Sequence, residues 1–349
     1  MRFLVAVAIA GALACGSGSA VLAQQKMTRV TLVGSSVNPP SVSNVYYLAA
    51  LRGFFQKHGL DVQLQQSSGS PTSLAAVVSG KAEFSSINLN TLANAAAEGV
   101  KAKLVVTGNF DFPGMMLSQP QITSIKMLEG KRMGASALGS IEYTVAQAFL
   151  VNQGVDFKKI DWVATRQTSA TVQALMSGQI AAAWFNMAAA VSTLQAAPNL
   201  NILVDAPTLA RVAPTTGGII VVTNKYAQEN PDVIQAYVDA IIEANREVYT
   251  NRTFFDETVE QFLPGVYSAE QKTLLYQAYR PSWGVNAGLN MKAMAEVLEA
   301  WKRDVNPDRA NNANFSRIED LVDTRFAAKS LAKLGVMDGT LDNPTWLAK

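Results

Sequence analysis

Short apolar runs typical of strands alternate with helical runs along most of the chain. Residues 29–34 predict a compact strand, residues 43–58 a helix that Gly59 ends in the left-handed conformation, and residues 60–65 a half-buried strand. The same alternation continues to residue 204, and it predicts largely parallel sheets covered by helices on both faces. Beyond residue 222 the pattern becomes helical, ending with a helix over 318–334.

One stretch of this pattern occurs twice. Residues 70–81, Ser-Pro-Thr-Ser-Leu-Ala-Ala-Val-Val-Ser-Gly-Lys, recur 98 positions later as residues 168–179, Thr-Ser-Ala-Thr-Val-Gln-Ala-Leu-Met-Ser-Gly-Gln. Each copy is a polar turn, a short apolar helix ending at Ser-Gly, and the start of a small-residue strand. Two similar units in one chain predict two similar lobes, which suit a cleft that closes on a small polar ligand.

Breaks in the alternation place the lobe boundaries. Residues 109–121, with glycine and two prolines, and residues 217–222 are the expected crossings between lobes. The first lobe is therefore predicted to comprise residues 28–110 and 222–349, including the helical C-terminal region. The second lobe is predicted to comprise residues 111–221.

The N-terminus is typical of a secretory leader. Arg2 precedes an apolar run over residues 3–14, and Val-Leu-Ala at 21–23 predicts cleavage after Ala23, so residues 1–23 form the expected signal peptide. The apolar run is too short to span a bilayer as a mature helix. A lipid anchor on Cys15, the only cysteine, is the competing interpretation. Either way the mature chain has no disulfide, and we expect it in the bacterial periplasm or on the outer cell surface.

Composition and motif content exclude several function classes. The chain has 349 residues and a formal charge of +2, without the basic stripe that tracks nucleic-acid phosphates. No metal-ligand spacing or phosphate-binding loop is present, so no metal and no cofactor are expected. Residues 134–139 approach a nucleophile elbow, but the second glycine comes one position late and the only histidine, His58, ends a predicted helix. Catalysis is therefore not expected.

Helix starts supply the predicted ligand contacts. Their free backbone N–H groups and partial positive charge bind anionic or carbonyl oxygens, and Ser70, Ser140 and Thr168 are the expected capping residues at three of them. Aromatic and amide side chains near the same strand ends complete a mostly apolar cleft with a few polar groups. The predicted ligand-binding residues are Ser36, Asn38, Tyr46, Ser68, Gly69, Ser70, Asn88, Phe110, Gly139, Ser140, Thr168, Trp184 and Asn186.

One run carries a family resemblance. Residues 49–62, Ala-Ala-Leu-Arg-Gly-Phe-Phe-Gln-Lys-His-Gly-Leu-Asp-Val, resemble the Gly-Phe-Phe-x-x-His-Gly-Leu-Asp-Val signature of ABC-transporter substrate-binding proteins for nitrate, sulfonates, taurine and thiamine pyrimidine precursors. Residues 128–134 with Gly139-Ser140 are similar to that family's second-lobe opening, and residues 321–323 with 334–335 to its closing helix. The resemblance covers nearly the whole mature chain and does not specify the ligand.

The resemblance implies a bilobal type 2 periplasmic-binding fold, with two α/β lobes joined by two crossover segments. It also implies delivery of a small organic anion or heterocycle to an ABC-transporter permease and ATPase, with no membrane contact beyond the permease or a lipid anchor. Where the family carries Asp after the Ser-Gly turn, this chain has Glu83 and Ala181. A ligand-sensing module that signals to a membrane partner is the alternative function. An enzyme similar to fungal pyrimidine synthases is disfavoured, because their cysteine-rich loop and histidine chemistry are missing.

Overall fold

Two five-stranded mixed sheets organise the chain in the computed structural model, which describes residues 27–34, 41–110, 113–212, 218–304 and 315–348. The strands are β1 (Thr28–Gly34), β2 (Leu60–Gln66), β3 (Phe84–Ile87), β4 (Ala102–Thr107), β5 (Gly114–Ser118), β6 (Arg132–Ala135), β7 (Asp161–Ala164), β8 (Ala182–Asn186), β9 (Asn201–Val204) and β10 (Ile219–Thr223). The first sheet has the order β2-β1-β3-β10-β4 and the second β7-β6-β8-β5-β9. The predicted α/β class with two similar halves is confirmed.

Helices cover both sheets and fill the C-terminal third. The α-helices are Val45–Ala49, Phe55–Lys57, Ser70–Val78, Leu89–Ala97, Ile141–Asn152, Thr168–Met176, Met187–Ala196, Ala206–Val212, Asn224–Glu229, Pro231–Thr250, Arg252–Phe262, Ala269–Tyr279, Met291–Asp304 and Arg325–Leu334. Short 3₁₀ turns are Val42–Asn44, Ile125–Leu128, Phe157–Lys159, Arg280–Ser282, Ile318–Asp320 and Thr345–Ala348. No helix of the described residues is both long and apolar enough to cross a membrane.

Each sheet is parallel except for one strand that comes from the other half of the chain. In the first sheet β1 pairs in parallel with β2 and β3, while β10 lies antiparallel between β3 and β4. In the second sheet β6 pairs in parallel with β7 and β8, while β5 lies antiparallel between β8 and β9. The four parallel strands of each sheet therefore end at one common edge.

The predicted crossings contain these two antiparallel strands. The segment over 109–121 includes β5, and the segment over 217–222 is mostly β10. The predicted boundary between residues 221 and 222 falls inside β10, all five of whose residues pair with strands of the first sheet. The chain therefore returns to the first sheet before Ile219.

Two predicted helices are interrupted. The helix expected over 43–58 consists of a 3₁₀ turn, two short α-helices and a π-helical stretch, Ala50–Phe54, in which Gly53 has φ +118°. Glycine accepts this conformation without steric cost, so the chain bends there. The helix expected over 318–334 is also divided, because Asp323 N donates to Leu104 O and ties the intervening residues to β4. Its regular part is Arg325–Leu334.

The larger hydrophobic core belongs to the first sheet and the C-terminal helices together. Pro231–Thr250 buries Tyr237, Val238 and Ile241 against this sheet's core. The second sheet has two smaller clusters, one around Trp184 and one around Phe185, which are neighbours on β8 and point to opposite faces. The C-terminal helices therefore stabilise the first lobe rather than forming a third unit.

Candidate ligand-binding cleft between the two sheets

A hydrogen bond joins the carboxyl edges of the two sheets. Asn88 directly follows β3, and Gly139 lies in the turn after β6. Asn88 Nδ2 donates to Gly139 O over 3.3 Å. Ligands of open α/β sheets bind outside the carboxyl ends of the strands, so this contact places two such edges on one cleft.

The start of helix Ser70–Val78, in the first lobe, differs from its predicted form. Gly69 occupies the N-cap position, and Ser70 is the first helical residue. The prediction that Ser70 caps this helix is therefore wrong, because its Oγ instead accepts a hydrogen bond from Asn88 N at 3.2 Å. The turn is closed by Ser67 Oγ, which lies 2.6 Å from Ser73 Oγ and accepts from Gly69 N.

The corresponding turn of the second lobe has the same construction. Gln167 occupies the N-cap position, and Thr168 is the first helical residue, so the prediction that Thr168 caps the helix is also wrong. Thr165 Oγ1 lies 2.5 Å from Thr171 Oγ1, which matches the Ser67–Ser73 pair of the first lobe at an offset of 98 residues. The hydroxyl pair two residues before and four after the N-cap position holds each turn, so the first helical residue does not need to.

Ser140 is a capping residue as predicted. Its Oγ accepts from Tyr143 N at 3.3 Å, and the preceding Gly139 is exposed with φ +82°. Glu142 lies in the first turn of the same helix and accepts from Ser136 Oγ at 3.1 Å. A carboxylate already complements the positive end of this helix, which reduces its capacity for a second anion.

The predicted residues Asn88 and Asn186 are equivalent caps in the two lobes. Asn88 Oδ1 accepts from Thr91 N at 2.7 Å, and Asn186 Oδ1 accepts from Ala189 N at 2.9 Å. Each satisfies a backbone donor at a helix start that follows the central parallel strand of its sheet. Asn88 is buried and adds the bond to the other lobe, whereas Asn186 is half-buried.

The three predicted aromatic ligand contacts, Tyr46, Phe110 and Trp184, are all buried, each against different neighbours. Tyr46 is fully buried, and its ring packs directly against Gly108. A Cβ on Gly108 would lie only 2.0 Å from Cε2 of the Tyr46 ring. Phe110 is buried and donates its N–H to Ser282 O at 2.9 Å. Trp184 is buried in the core of the second lobe, so its ring does not lie on an open cleft wall.

The remaining predicted residues are Ser68, Ser36 and Asn38. Ser68 is exposed, and its Oγ lies 3.0 Å from Thr72 Oγ1 at the rim of the helix start. Ser36 and Asn38, like the expected leader over 1–23, fall outside the described residues. The described residues contain no cluster of three or more His, Cys, Asp or Glu able to hold a metal ion.

Three charged or titratable side chains, those of Glu83, Arg280 and His58, have structural partners. Glu83 Oε2 accepts from Thr31 N at 2.6 Å, so it ties β1 to the turn before β3. The Arg280 guanidinium lies 4.0 Å from the centroid of the Tyr249 ring, and Arg280 Nε donates to Tyr249 O at 2.9 Å. His58 Nε2 lies 3.2 Å from Glu243 Oε1.

Sequence reasoning did not find Ser86, Gly108 and Gly218, which surround Tyr46 at the carboxyl edge of the first sheet. A Cβ on Gly218 would lie 2.8 Å from Ser86 Oγ and 3.8 Å from Tyr46 Oη. The available signal was the Ser85-Ser86 pair, which is unusual in a short buried strand. The two glycines gave no signal, because their role depends on the position of the Tyr46 ring.

Comparison with known proteins gives the family. A family model described as NMT1/THI5 like matches residues 41–251. A protein of Brucella abortus, described as a binding protein without a named ligand, is 23% identical over 209 residues, which are 58% of this chain and 62% of the relative. The chain thus spans less than two thirds of the length of the curated relatives it matches.

Solved structures give the fold. A protein of Bordetella bronchiseptica RB50 matches with a TM-score of 0.73 and 19% identity over 89% of this chain and 99% of its own. The periplasmic aliphatic sulphonate binding protein SsuA from Escherichia coli matches with a TM-score of 0.64 and 15% identity over 85% of this chain and 97% of its own. These neighbours confirm the type 2 periplasmic-binding fold. With more than half of its length matched by the family model, the chain belongs to the NMT1/THI5-like family.

Proposed function

We propose that the chain is an extracytoplasmic solute-binding protein that captures a small organic anion or heterocycle between its lobes and delivers it to an ABC importer. The observation on which the proposal depends is the Asn88–Gly139 hydrogen bond, which joins the two carboxyl edges where such a ligand would lie. The name of the sulphonate binding protein among the structural neighbours supports the same class of function.

The cleft explains how binding would be coupled to closure. Asn88 presents its side-chain amide to the second lobe, while its backbone N–H is bound by Ser70 Oγ. A ligand that contacts both lobes favours the closed form by the difference between its affinities for the closed and open forms. The Asn88–Gly139 hydrogen bond by itself favours the closed form only slightly, since it joins two neutral groups, so most of the free energy of closure has to come from the ligand.

Partners and location follow from the same proposal. The predicted leader over 1–23 would export the chain to the periplasm, where the permease and ATPase complex of an importer would receive the loaded protein. The candidate ligands are sulfonate-, nitrate-, carboxylate- and pyrimidine-like compounds. No catalytic group is assigned to the cleft.

The test is a thermal-shift screen of these four ligand classes, followed by calorimetry on the hits. A true ligand at a hundred times its dissociation constant adds about 2.7 kcal/mol to the stability of the folded state. Asn88→Ala should lower the affinity about tenfold, since it removes a side chain at the junction of the two edges.

Thr223→Ala is the matched control. Thr223 also caps a helix, by accepting from Tyr226 N at 3.1 Å, but it lies at the opposite edge of the same sheet. Both substitutions should cost about 1 kcal/mol of stability, and only Asn88→Ala should change ligand affinity. Equal affinities for the two variants would contradict the placement of the cleft, and chemical turnover of a bound compound would contradict the binding function.

A further inference from the structure

A groove opens among the C-terminal helices of the first lobe. It has a volume of about 520 Å³, which lies within the usual range of small-molecule sites. Its walls are the ends of helices Pro231–Thr250 and Ala269–Tyr279, the start of helix Arg252–Phe262 and the turn Arg280–Ser282. No lining residue belongs to a strand or directly follows one, so the groove is separate from the cleft between the two sheets.

Arg280 supplies an unpaired cation to this groove. Its Nε donates to Tyr249 O at 2.9 Å, and its guanidinium lies 4.0 Å from the centroid of the Tyr249 ring. These two contacts fix the plane of the guanidinium. No carboxylate of the described residues pairs with Arg280, and none of their acceptors binds its Nη1 or Nη2. Both terminal nitrogens are therefore left for an acceptor from outside the chain.

The other arginine in the groove is already neutralised. Arg252 Nε donates to both carboxylate oxygens of Asp256 at 3.0 Å, and its Nη2 donates to Thr273 Oγ1 at 3.1 Å. The residues that line the groove include no carboxylate of their own. One positive charge therefore remains uncompensated in the groove, that of Arg280.

The aromatic walls of the groove are held in place. Tyr276 Oη donates to Tyr249 O at 2.9 Å. The Tyr276 ring packs edge-on against the buried rings of Phe255 and Trp283, with centroid separations of 5.1 and 5.5 Å. Pro281 adds a rigid, exposed apolar ring to the same groove. A flat apolar body suits these walls, because aromatic faces also stack on guanidinium groups.

We propose that this groove is a second ligand site, which binds a small aromatic carboxylate through Nη1 and Nη2 of Arg280. A carboxylate matches the planar fork of a guanidinium and carries the single negative charge that Arg280 leaves uncompensated. A neutral amide of the same shape cannot form two charge-assisted hydrogen bonds. The site does not depend on which compound the cleft binds.

Calorimetry on the full chain tests the site with benzoate and with benzamide, a neutral probe of the same shape. Benzoate should bind about tenfold more tightly than benzamide. Arg280→Gln should weaken benzoate binding about tenfold, and Arg280→Lys, which keeps the charge but loses the fork, about threefold to fivefold. Arg325→Gln is the matched control, since Arg325 also lies over a ring, that of Phe326, but its guanidinium pairs with Asp323. This control should keep the affinity of the wild type.

Gln277→Glu is a second variant that leaves the packed residues untouched. Gln277 is exposed and lines the groove, so a glutamate there should repel benzoate and weaken its binding several-fold. Its unfolding curve should match that of the wild type. This variant keeps the test decisive even if Arg280→Gln, which loses the bond to Tyr249 O, is less stable.

Asn88→Ala distinguishes the groove from the cleft. Benzoate affinity should be unchanged in Asn88→Ala and reduced in Arg280→Gln. A loss confined to Asn88→Ala would place benzoate in the cleft and overturn the second site. Absence of benzoate binding, equal binding of benzamide, or full affinity in both Arg280→Gln and Gln277→Glu would overturn it as well. None of these results contradicts the solute-binding function, which the ligand screen tests separately.

Discussion

Gly108 and Tyr46 show how one missing side-chain atom determines the edge of the cleft. A Cβ at position 108 would lie 2.0 to 2.3 Å from three atoms of the Tyr46 ring. Gly108 O also accepts from Gly284 N at 2.9 Å, so the backbone is held from the other side. Neither the ring nor the backbone can move away without disturbing a buried neighbour.

Gly108→Ala is therefore expected to destabilise the fold by about 1–3 kcal/mol, the usual cost of overpacking a filled interior. Urea unfolding measures the change. Gly218→Ala is the control, since its nearest neighbour is the rotatable Ser86 Oγ at 2.8 Å and its cost should be smaller. Wild-type stability in Gly108→Ala would mean that the Tyr46 ring is free to move.

Glu243 links two helices through charged contacts. Glu243 Oε2 accepts from Lys57 Nζ at 2.5 Å, and Oε1 lies 3.2 Å from His58 Nε2. Burial acts to raise the pKa of Glu243, but the hydrogen bonds and charges of Lys57 and His58 together lower it below its ordinary value of 4.5. Folding then favours the ionised carboxylate, so this stabilisation is present above the ordinary pKa and is lost as the pH falls through the lowered one.

Glu243→Gln should consequently reduce the melting temperature at neutral pH, where the carboxylate is ionised. The difference from the wild type should shrink as the pH falls below the ordinary pKa of 4.5 and through the lowered pKa of the folded state, because the wild-type carboxylate is then protonated. Calorimetric melting temperatures across this range measure the effect. A constant difference at every pH would show that the loss is one of packing rather than charge.

The repeated unit is the main feature at the scale of secondary-structure elements. Ser-Gly ends both helices, with Gly80 at φ +74° and Gly178 at φ +76°. Lys81 N donates to Ala76 O, and Gln179 N to Ala174 O, both at 2.9 Å. The equivalence extends beyond the similar sequences, to the hydroxyl pair that spans each helix start and the asparagine cap that follows β3 and β8.

Because the two helix starts are built alike, we expect their hydroxyl pairs to contribute similar free energies of stabilisation. Ser73→Ala and Thr171→Val each remove one hydroxyl of a pair while keeping the approximate shape, and each should cost about 1 kcal/mol. Denaturant unfolding measures both. Ser169→Ala, at an exposed position of the second helix, should change stability by less than about 0.5 kcal/mol. Very different costs for the two buried hydroxyls would show that the two turns are not equivalent in energy.

At the scale of the whole molecule, the second lobe also contacts the helical region of the first lobe. Met187 and Ala188, at the start of the helix after β8, join the larger core, and Ala188 N donates to Tyr279 Oη at 3.4 Å. Gln271 Nε2 donates to Gln195 Oε1 at 2.6 Å along the same pair of helices. These contacts stabilise the arrangement of lobes in which Asn88 meets Gly139.

Tyr279→Phe leaves Ala188 N without its acceptor in this arrangement, so it should favour the open form. The apparent ligand affinity should fall several-fold even though Tyr279 is not assigned to the ligand, because closure becomes less favourable. Calorimetry measures the affinity, and small-angle scattering should show less ligand-induced compaction than in the wild type. Unchanged affinity and compaction would indicate that closure does not depend on this contact.

The sequence by itself determined the parallel strands of both sheets, most helices, the duplicated unit and the family, whereas the antiparallel strands β5 and β10 were predicted only as crossings between lobes. These features are encoded locally, by hydrophobic spacing, by Gly at helix ends and by runs such as residues 49–62. It also identified Asn88, Gly139 and Ser140 at strand ends, since the carboxyl edge of a parallel sheet is a general ligand position.

Only the tertiary structure decided which of these residues meet. Ser70 and Thr168 have the sequence pattern of capping residues, but a hydroxyl pair that spans each helix start holds the turn, and Ser70 Oγ accepts from Asn88 N instead. Trp184 lies at the end of a strand, where ligand contacts are expected, but its side chain is buried in a hydrophobic cluster of the second lobe. The pairing of β10 with β3, and the glycines that admit Tyr46, depend on residues far apart in the chain, and no local pattern records such contacts.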